Sequence, residues 1–191
     1  MSTITIFGSG NMGSAIAGVF ADGGASVQHI GSGDDGARIE GDVVVLAVPH
    51  PALADIVGRY GDQLSGKVVV DITNPLNFET FDSLVVPADG SAAAELARAL
   101  PGAKVLKAFN TNFAATLAAK KVGDQQTTVL VAGDDEAAKS ALISAVTSGG
   151  LAAIDAGSLS RARELEAIGF LQLTLAVGEK LAWTGGFGVN R

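Results

Sequence analysis

Short, uninterrupted runs of β-branched residues, separated by alanine-rich stretches, are the feature that most constrains the fold. Strands that are apolar at every position, rather than at every second position, are typical of a sheet covered by helices on both faces. Seven segments fit this description, the last of them more weakly than the others: residues 3–7, 27–30, 43–48, 68–72, 105–109, 127–132 and 152–154.

Helical segments are predicted between these strands, at residues 11–22, 51–60, 92–99 and 136–147. We expect Asp134 to cap the last of these helices and Gly149 to end it. Such alternation predicts an α/β fold, a Rossmann-type doubly wound parallel sheet with right-handed crossovers. A chain of 191 residues fits one domain, 1–191, with the sheet within about residues 1–155.

The crossover between the second and third predicted strands is unusually short. Only residues 31–42 are available for it, and four of these are glycines. A parallel crossover normally takes a dozen or more residues and usually contains a helix, so these 12 residues are at the lower limit. We therefore predict a loop or a single turn here, which would leave the adenine side of a bound nucleotide open.

The last segment, residues 160–183, is predicted to form one long helix. Its apolar residues form two neighbouring stripes and so cover much more than one face. The first stripe is Leu165, Ile168, Leu171 and Leu175, and the second is Phe170, Leu173, Val177 and Leu181. A helix this apolar needs burial on two sides, so we predict that it joins two copies of the chain in a homodimer.

Composition excludes several classes of function. The net charge is −7 and no stretch concentrates Lys or Arg, which argues against binding to nucleic acid or to an anionic membrane. Cysteine is absent, and His29 and His50 lack a metal-ligand pattern, so no metal site is expected. The longest apolar run, residues 43–49, is too short to cross a bilayer, and no basic leader precedes Ile4. We expect a cytoplasmic protein.

A glycine-rich turn directly follows the first predicted strand and precedes the first predicted helix. The first glycine of such a turn permits the bend, the second lets the backbone approach a pyrophosphate, and the third lets helix and strand pack closely. The helix then directs its N-terminal amides at the anion. A plain glycine turn is the alternative, but the strand–turn–helix context favours dinucleotide binding. The residues concerned are Gly8, Ser9, Gly10, Asn11, Met12 and Gly13.

The choice between NAD and NADP depends on the end of the second strand. An acidic residue there would bind the ribose 2′-hydroxyl and repel a 2′-phosphate. The chain instead has Ser32 between two glycines, which favours NADP, since a hydroxyl can donate to phosphate. Asp34 and Asp35 nearby have the wrong sign, although Arg38 could turn toward the site. NADP is the preferred prediction, and NAD stays possible.

The carboxyl ends of the other strands complete the candidate site, because open α/β sheets bind ligands at that edge. Asn74 and Asn110 suit the carboxamide and ribose of a nicotinamide nucleoside, and Val48 and Pro49 offer an apolar wall. The alternatives are a simple Asn-Pro turn at Asn74, a strand-end cap at Asn110 and an exposed loop position for His50. The predicted cofactor-binding residues at this edge are Ala47, Val48, Pro49, His50, Asn74 and Asn110.

Beyond these residue-level signals, the chain resembles the NADP oxidoreductases that reduce a deazaflavin coenzyme. Their fold also forms the cytosolic domain of six-transmembrane metalloreductases. The resemblance rests on the glycine turn, on Ala47-Val48-Pro49, on Lys107-Ala108-Phe109-Asn110-Thr111, and on Asp155-Ala156-Gly157-Ser158-Leu159 with Arg161, Arg163, Glu164 and Glu166. It implies that the glycine turn and Ser32 hold the pyrophosphate and 2′-phosphate, and that Ala47 to His50 and Asn110 frame the nicotinamide. One departure is that Gly33 stands where the family has an arginine.

Hydride transfer between two flat cofactors needs few catalytic side chains, and we assign none. Arg163, Glu164 and Glu166 are expected to tie the terminal helix to the sheet, while His50 could donate a proton. The predicted function is hydride transfer between NADP(H) and a deazaflavin or flavin-type acceptor. The alternatives are a nucleotide-sensing module without turnover and a metal-chelate reductase that uses a loosely bound flavin.

Overall fold

The computed structural model describes residues 3–190 and contains one large sheet and one small hairpin. The strands, in chain order, are β1 Thr3–Phe7, β2 Ser26–Ile30, β3 Val43–Leu46, β4 Val68–Asp71, β5 Lys104–Lys107, β6 Lys121–Val122, β7 Gln125–Gln126, β8 Thr128–Gly133 and β9 Ala152–Gly157. The helices are α1 Asn11–Asp22, α2 Leu53–Leu64, α3 Ala92–Ala99, α4 Ala114–Ala119, α5 Glu136–Ser148 and α6 Ala162–Val177.

The large sheet has seven strands in the order β2-β1-β3-β4-β5-β8-β9. The first five strands in this order are parallel, with Ile6 opposite Val45 and Val45 opposite Val70. The chain adds β2 on one side of β1 and β3 on the other. The order of strands therefore reverses between β1 and β3, and ligands of open α/β sheets bind at the carboxyl ends of such a strand pair.

The predicted Rossmann-type fold with a long C-terminal helix is confirmed, and the far edge of the sheet adds a detail. β8 runs antiparallel to β5, while β9 is parallel to β8. The reversal follows from the connection after β5, where the chain forms α4 and the β6–β7 hairpin before it re-enters the sheet. Neither of these two elements was predicted, because both are very short.

Helices cover both faces of the sheet, as the uninterrupted apolar strands predict. Along β3, Val45 packs into the core beneath α1 and α5, whereas Val44 and Leu46 pack beneath α2 and α3. Aromatic pairs join sheet and helix on each face. Phe20 meets Phe109 edge-on at 6.0 Å between ring centroids, and Phe7 meets Tyr60 at 4.9 Å.

The N-terminal cap of α5 differs from the prediction by one residue. Asp135, not Asp134, accepts a hydrogen bond from the Ala138 amide at 2.8 Å. Asp134 instead accepts from the Leu159 amide at 2.9 Å, so it joins the end of β8 to the turn before α6. The prediction was wrong because two adjacent aspartates have equal capping propensity, and a long-range contact decided between them. Gly149 ends the helix, as predicted.

The short crossover is a loop, as predicted, with turns but no helix between β2 and β3. Hydrogen bonds fix this loop to α2 and to β2. The Tyr60 hydroxyl donates to the Asp34 carbonyl at 2.7 Å, and Gln28 Nε2 donates to the Arg38 carbonyl at 2.8 Å. Ile39 of the loop is buried in the same apolar cluster as Ile56 and Tyr60 of α2. The loop is therefore attached to α2, which lies on the same side of the cleft.

The terminal helix α6 is shorter than the predicted segment. A single 3₁₀ turn at Leu159–Arg161 precedes it, and Gly178 caps its C-terminus. Leu165 of the first predicted stripe is buried, whereas Ile168, Leu171 and Val177 are exposed. Within residues 3–190, no helix is both long enough and apolar enough to span a membrane.

A buried ionic cluster fastens α6 to the sheet. Lys107 Nζ of β5 lies 2.9 Å from Asp71 Oδ2 of β4 and 2.8 Å from Glu166 Oε1 of α6. Glu166 also accepts hydrogen bonds from the Ala92 and Ala93 amides, at 2.9 and 3.3 Å, so it caps the first turn of α3. The expected structural role of Glu166 matches this geometry, while the partnership with Lys107 was not predicted.

Removing the cation should cost more than removing one carboxylate. Lys107→Met leaves Asp71 and Glu166 buried with like charges, and we expect a loss of about 3–5 kcal/mol of unfolding free energy. Glu166→Gln keeps an acceptor for the α3 amides and an intact Lys107–Asp71 pair, so we expect a smaller loss of about 1–2 kcal/mol. Denaturant unfolding of both variants measures the difference, and equal losses would contradict this account.

The pH dependence gives a control for this cluster. Burial raises the pKa of Glu166 above its ordinary value. The folded chain therefore binds this proton more tightly than the unfolded chain does. The resulting stabilisation is complete below about pH 4, the ordinary Glu range, and is lost as pH rises through the folded pKa. The stability of the native chain relative to Glu166→Gln should fall as pH rises above about 4, and denaturant unfolding at a series of pH values measures this fall.

Candidate functional site

The glycine turn connects β1 to α1 at the carboxyl edge of the sheet, and two of its glycines are required by packing. Gly8 has a φ of +97°, and a Cβ there would overlap the Ala47 carbonyl oxygen. A Cβ at Gly13 would overlap the Gly8 carbonyl oxygen. These are the predicted roles of the first and third glycines, the tight bend and the close packing of helix on strand.

Gly10 differs, because nothing in residues 3–190 requires a glycine there. Its φ of −69° suits any residue, and a Cβ would meet no described atom within 4 Å. Gly10 precedes the first residue of α1, a helix of 12 residues, and no described side chain caps it. The open space in front of Gly10 is therefore next to unpaired amides at the positive end of the helix dipole, which is a cradle for an anion.

Two clefts of equal volume, about 390 Å³ each, flank the glycine turn. The first, which we name the α2-side cleft, brings together most of the predicted cofactor residues. It is lined by Phe7, Gly8, Ser9, Gly10, Ile30, Gly31, Ser32, Ala47, Val48, Pro49, Ala52, Asp55, Ile56, Arg59 and Tyr60.

The second cleft, the α6-side cleft, contains the remaining predicted residues except Gly13 and His50. It is lined by Asn11, Met12, Ile72, Asn74, Asn110, Asn112, Phe113, Ala114, Ala115, Leu173 and Trp183. The first residues of α1 lie in one cleft and the preceding glycines in the other. A ligand whose diphosphate sits at the glycine turn could thus extend into both.

Asn74 and Asn110 form a hydrogen-bonded pair at the ends of β4 and β5. Asn74 Nδ2 donates to the Asn110 carbonyl at 2.9 Å, and Asn110 Nδ2 donates to Asn74 Oδ1 at 2.9 Å and to the Leu165 carbonyl at 2.8 Å. Both side chains thus help to seat α6. Asn110 Oδ1 is buried and has no hydrogen-bond partner within residues 3–190, so it is available to a ligand donor.

The structure places His50 apart from the other predicted residues. It begins a 3₁₀ turn, His50–Ala52, and lines a groove between α2 and α3 together with Leu96 and Glu95. In the described chain, His50 is not among the residues that line either cleft beside the glycine turn. Its part in cofactor binding stays a prediction. No cluster of three or more potential ligands for a metal ion occurs in the described residues.

Several residues of the two clefts were not predicted from sequence patterns. Arg59 and Tyr60 of α2 line the α2-side cleft, and Phe113 and Trp183 line the other, with ring centroids 5.0 Å apart. Helical spacing could have found Arg59, because Asp55 lies one turn before it and their side chains pair at 3.2 Å. Trp183 lies beyond α6, and only the fold brings it to Phe113.

The first strand of this mainly parallel sheet leads through the glycine turn into a helix, at the point where the strand order reverses. This arrangement defines a dinucleotide-binding protein of the Rossmann class. The family described as NADP oxidoreductase, coenzyme F420-dependent, matches residues 25–75. An F420-dependent NADP reductase of Methanocaldococcus jannaschii is 33% identical over 166 residues, which are 85% of this chain and 74% of that protein. The chain belongs to the F420-dependent NADP reductase family and is an NADP(H)-dependent oxidoreductase.

Two further relatives extend the comparison. A crystal structure from Arthrobacter sp. FB24, described as a candidate F420-dependent NADP reductase, has a TM-score of 0.86 and 25% identity, with 100% of both chains covered. Metalloreductase STEAP3 of Rattus norvegicus is 39% identical over 108 residues, which are 56% of this chain but 21% of that protein. The chain is therefore similar over its full length to the Arthrobacter protein, and similar to only a part of the metalloreductase.

The open space at Gly10 gives a test with a matched control. Gly10→Ala puts a methyl group where the diphosphate would approach, so we expect the dissociation constant for NADP⁺ to rise at least about tenfold. Gly18→Ala, in the exposed middle of α1, also adds a methyl group that meets no described atom within 4 Å. It should leave binding unchanged. Calorimetric titration of both variants makes the comparison, and equal affinities would contradict the assigned role of Gly10.

Proposed function

We propose that this chain transfers hydride between NADP(H) and a deazaflavin coenzyme. The observation that carries the proposal is the pair of clefts on either side of the glycine turn. One is lined by the turn and Ser32, and the other by amide and aromatic side chains. One cleft suits the phosphorylated half of a dinucleotide, and the other suits its redox ring together with a second flat molecule.

The diphosphate is assigned to the amides at the start of α1, above Gly8, Ser9 and Gly10. Within residues 3–190 the open space beside Gly10 fits this assignment, since no protein atom fills it. Ser32 lines the same cleft, and we assign it to the ribose of the adenosine half. Ala47 packs against the turn, and Val48 and Pro49 continue the wall of this cleft.

The nicotinamide is assigned to the α6-side cleft, beside Asn11 and Met12. The buried Asn110 Oδ1 supplies the acceptor that a carboxamide NH₂ group requires, and Asn74 holds the Asn110 side chain in place. When bound, NADPH supplies the hydride, so the chain itself has to align two rings and exclude water. Asn110 would fix the ring orientation, while Ile72 and Leu173 line the cleft with apolar surface.

The acceptor is assigned to the open side of the same cleft. Trp183 is 53% exposed and packs against Phe113, which makes an aromatic surface at the cleft wall. A planar deazaflavin or flavin ring can stack on such a surface, with about 0.5–1.5 kcal/mol gained per aromatic pair. The relatives named as F420-dependent NADP reductases favour the deazaflavin.

The acceptor is tested by mixing the protein with NADPH and one acceptor at a time while following nicotinamide absorbance. We expect the highest kcat/KM with the deazaflavin. Trp183→Ala should raise the KM for the acceptor severalfold and leave the NADPH dissociation constant unchanged, because Trp183 is placed at the acceptor side. A chain that binds NADPH tightly but reduces no deazaflavin or flavin would be a nucleotide sensor. A chain that reduces ferric chelates only when flavin is added, and reduces no deazaflavin, would be a metal-chelate reductase.

We also propose that the chain forms a homodimer through α6. Leu171 is 51% exposed and Val177 is 46% exposed, although both lie on a helix whose other side is buried. Complete burial of a fully exposed side chain of this size is worth about 1.5–3 kcal/mol, so covering the exposed half of each gains about half of that, which favours a second copy over water. The single-domain organisation and the cytoplasmic location likewise stay predictions from the sequence.

The dimer is tested by the mass of the protein in solution. We expect twice the chain mass of 19.1 kDa at micromolar concentration. Leu171→Glu should shift the protein to the monomer while the circular dichroism spectrum stays the same. Val85→Glu is the matched control, because Val85 is also exposed but lies outside the helix. A monomeric native chain, or an equal effect of both substitutions, would overturn the proposal.

A further inference from the structure

The loop that carries Ser32 places no cation next to it, whereas the facing helix α2 supplies one to the α2-side cleft. Gly33 follows Ser32, and Asp34 and Asp35 come next. A 2′-phosphate near Ser32 would therefore meet carboxylates on its own loop. The cation that lines the same cleft is Arg59, on the facing helix α2.

Arg59 forms ion pairs with two carboxylates, one on its own helix and one on the crossover loop. Its Nη1 lies 3.2 Å from Asp55 Oδ2, one turn earlier in α2, and its Nη2 contacts Asp35 of the short crossover loop. The guanidinium carbon is 5.2 Å from the centre of the Tyr60 ring, and the Tyr60 hydroxyl bonds to the Asp34 carbonyl. The guanidinium is thus kept at the loop that carries Ser32.

Of the two carboxylates that pair with Arg59, Asp35 is the one that a bound phosphate can more easily replace. The Asp35 side chain is 85% exposed, whereas the Arg59 side chain is 32% exposed. An exposed ion pair contributes little stability, and a released Asp35 would be solvated at once. A phosphate dianion accepts two parallel hydrogen bonds from a guanidinium and competes well with one solvated carboxylate. Asp55 would keep the side chain aligned during the exchange.

We propose that Arg59 is the specificity-determining residue for NADP in this chain, and that it exchanges Asp35 for the 2′-phosphate when the nucleotide binds. This inference rests on the proposed binding of NADP in the α2-side cleft. It makes α2 the source of the positive charge that residues 32–36 of the loop after β2 lack. It also assigns Asp35 the role of an internal competitor that weakens binding of the 2′-phosphate.

The test compares NADP⁺ and NAD⁺ by calorimetric titration of the full chain. Arg59→Gln should raise the dissociation constant for NADP⁺ about 10- to 100-fold, as expected for loss of a charge-assisted hydrogen bond to phosphate, and change that for NAD⁺ less than about threefold. Arg38→Gln is the matched control. Arg38 is exposed on the same loop and is not among the described residues that line the cleft. It should change neither constant by more than about threefold.

A second variant tests the competitor. Asp35→Asn removes the competing charge from an exposed position, so the fold should be unaffected. We expect it to tighten NADP⁺ binding about three- to tenfold and to leave NAD⁺ binding nearly unchanged. The changes in NADP⁺ affinity caused by Arg59→Gln and by Asp35→Asn should both become smaller as salt concentration rises, because they arise from interactions between partly exposed charges.

Other results would overturn the inference. Equal weakening of NADP⁺ and NAD⁺ in Arg59→Gln would mean that Arg59 stacks on the adenine instead. A selective loss of NADP⁺ binding in Arg38→Gln would make Arg38 the phosphate ligand. If the native chain binds both nucleotides and Arg59→Gln keeps their ratio, only this inference fails. If the native chain binds neither nucleotide, the proposed function fails first.

Discussion

The close approach of the first turn to the third strand is the constraint on which the rest of the site depends. Gly8 lies so near the Ala47 carbonyl oxygen, and Gly13 so near that of Gly8, that a methyl group fits at neither position. This contact sets the N-terminus of α1 directly above the carboxyl ends of β1 and β3. The amides of α1, the wall formed by Ala47 and its neighbours, and both clefts all follow from that placement.

The second cleft depends on how α6 is fastened to the sheet. Lys107, Asp71 and Glu166 are buried together, and the same Glu166 caps α3. A few residues away, Asn110 bonds to the Leu165 carbonyl. Burying charge is costly unless it is paired, so this arrangement tolerates few alternative positions of α6. A helix fixed in this way places Leu173 in the same cleft as Asn110 and so gives that cleft a defined wall.

Much of this architecture could be predicted from sequence, and the limits have physical causes. The central strands and α1 are determined by local apolar runs and by the glycine turn, and their predicted bounds lie within two residues of the observed ones. The cap of α5 was assigned to Asp134 and is made by Asp135, because contacts with a distant turn decide between two equal candidates. The pairing of Lys107 with Glu166 and of Phe113 with Trp183 joins residues far apart in sequence, so no local pattern reveals it.

The position of Arg59 at the cleft is linked to the shortness of the crossover between β2 and β3. In the described structure, residues 31–42 contain no helix that could cover the outer side of the cleft. The loop folds down onto α2 instead, through the Tyr60 hydroxyl and the Asp34 carbonyl. That contact brings side chains of α2 to the outer edge of the α2-side cleft, the place that side chains of a longer crossover would occupy. The positive charge of this edge thus comes from the element after β3, while the element after β2 supplies mainly carboxylates and glycine.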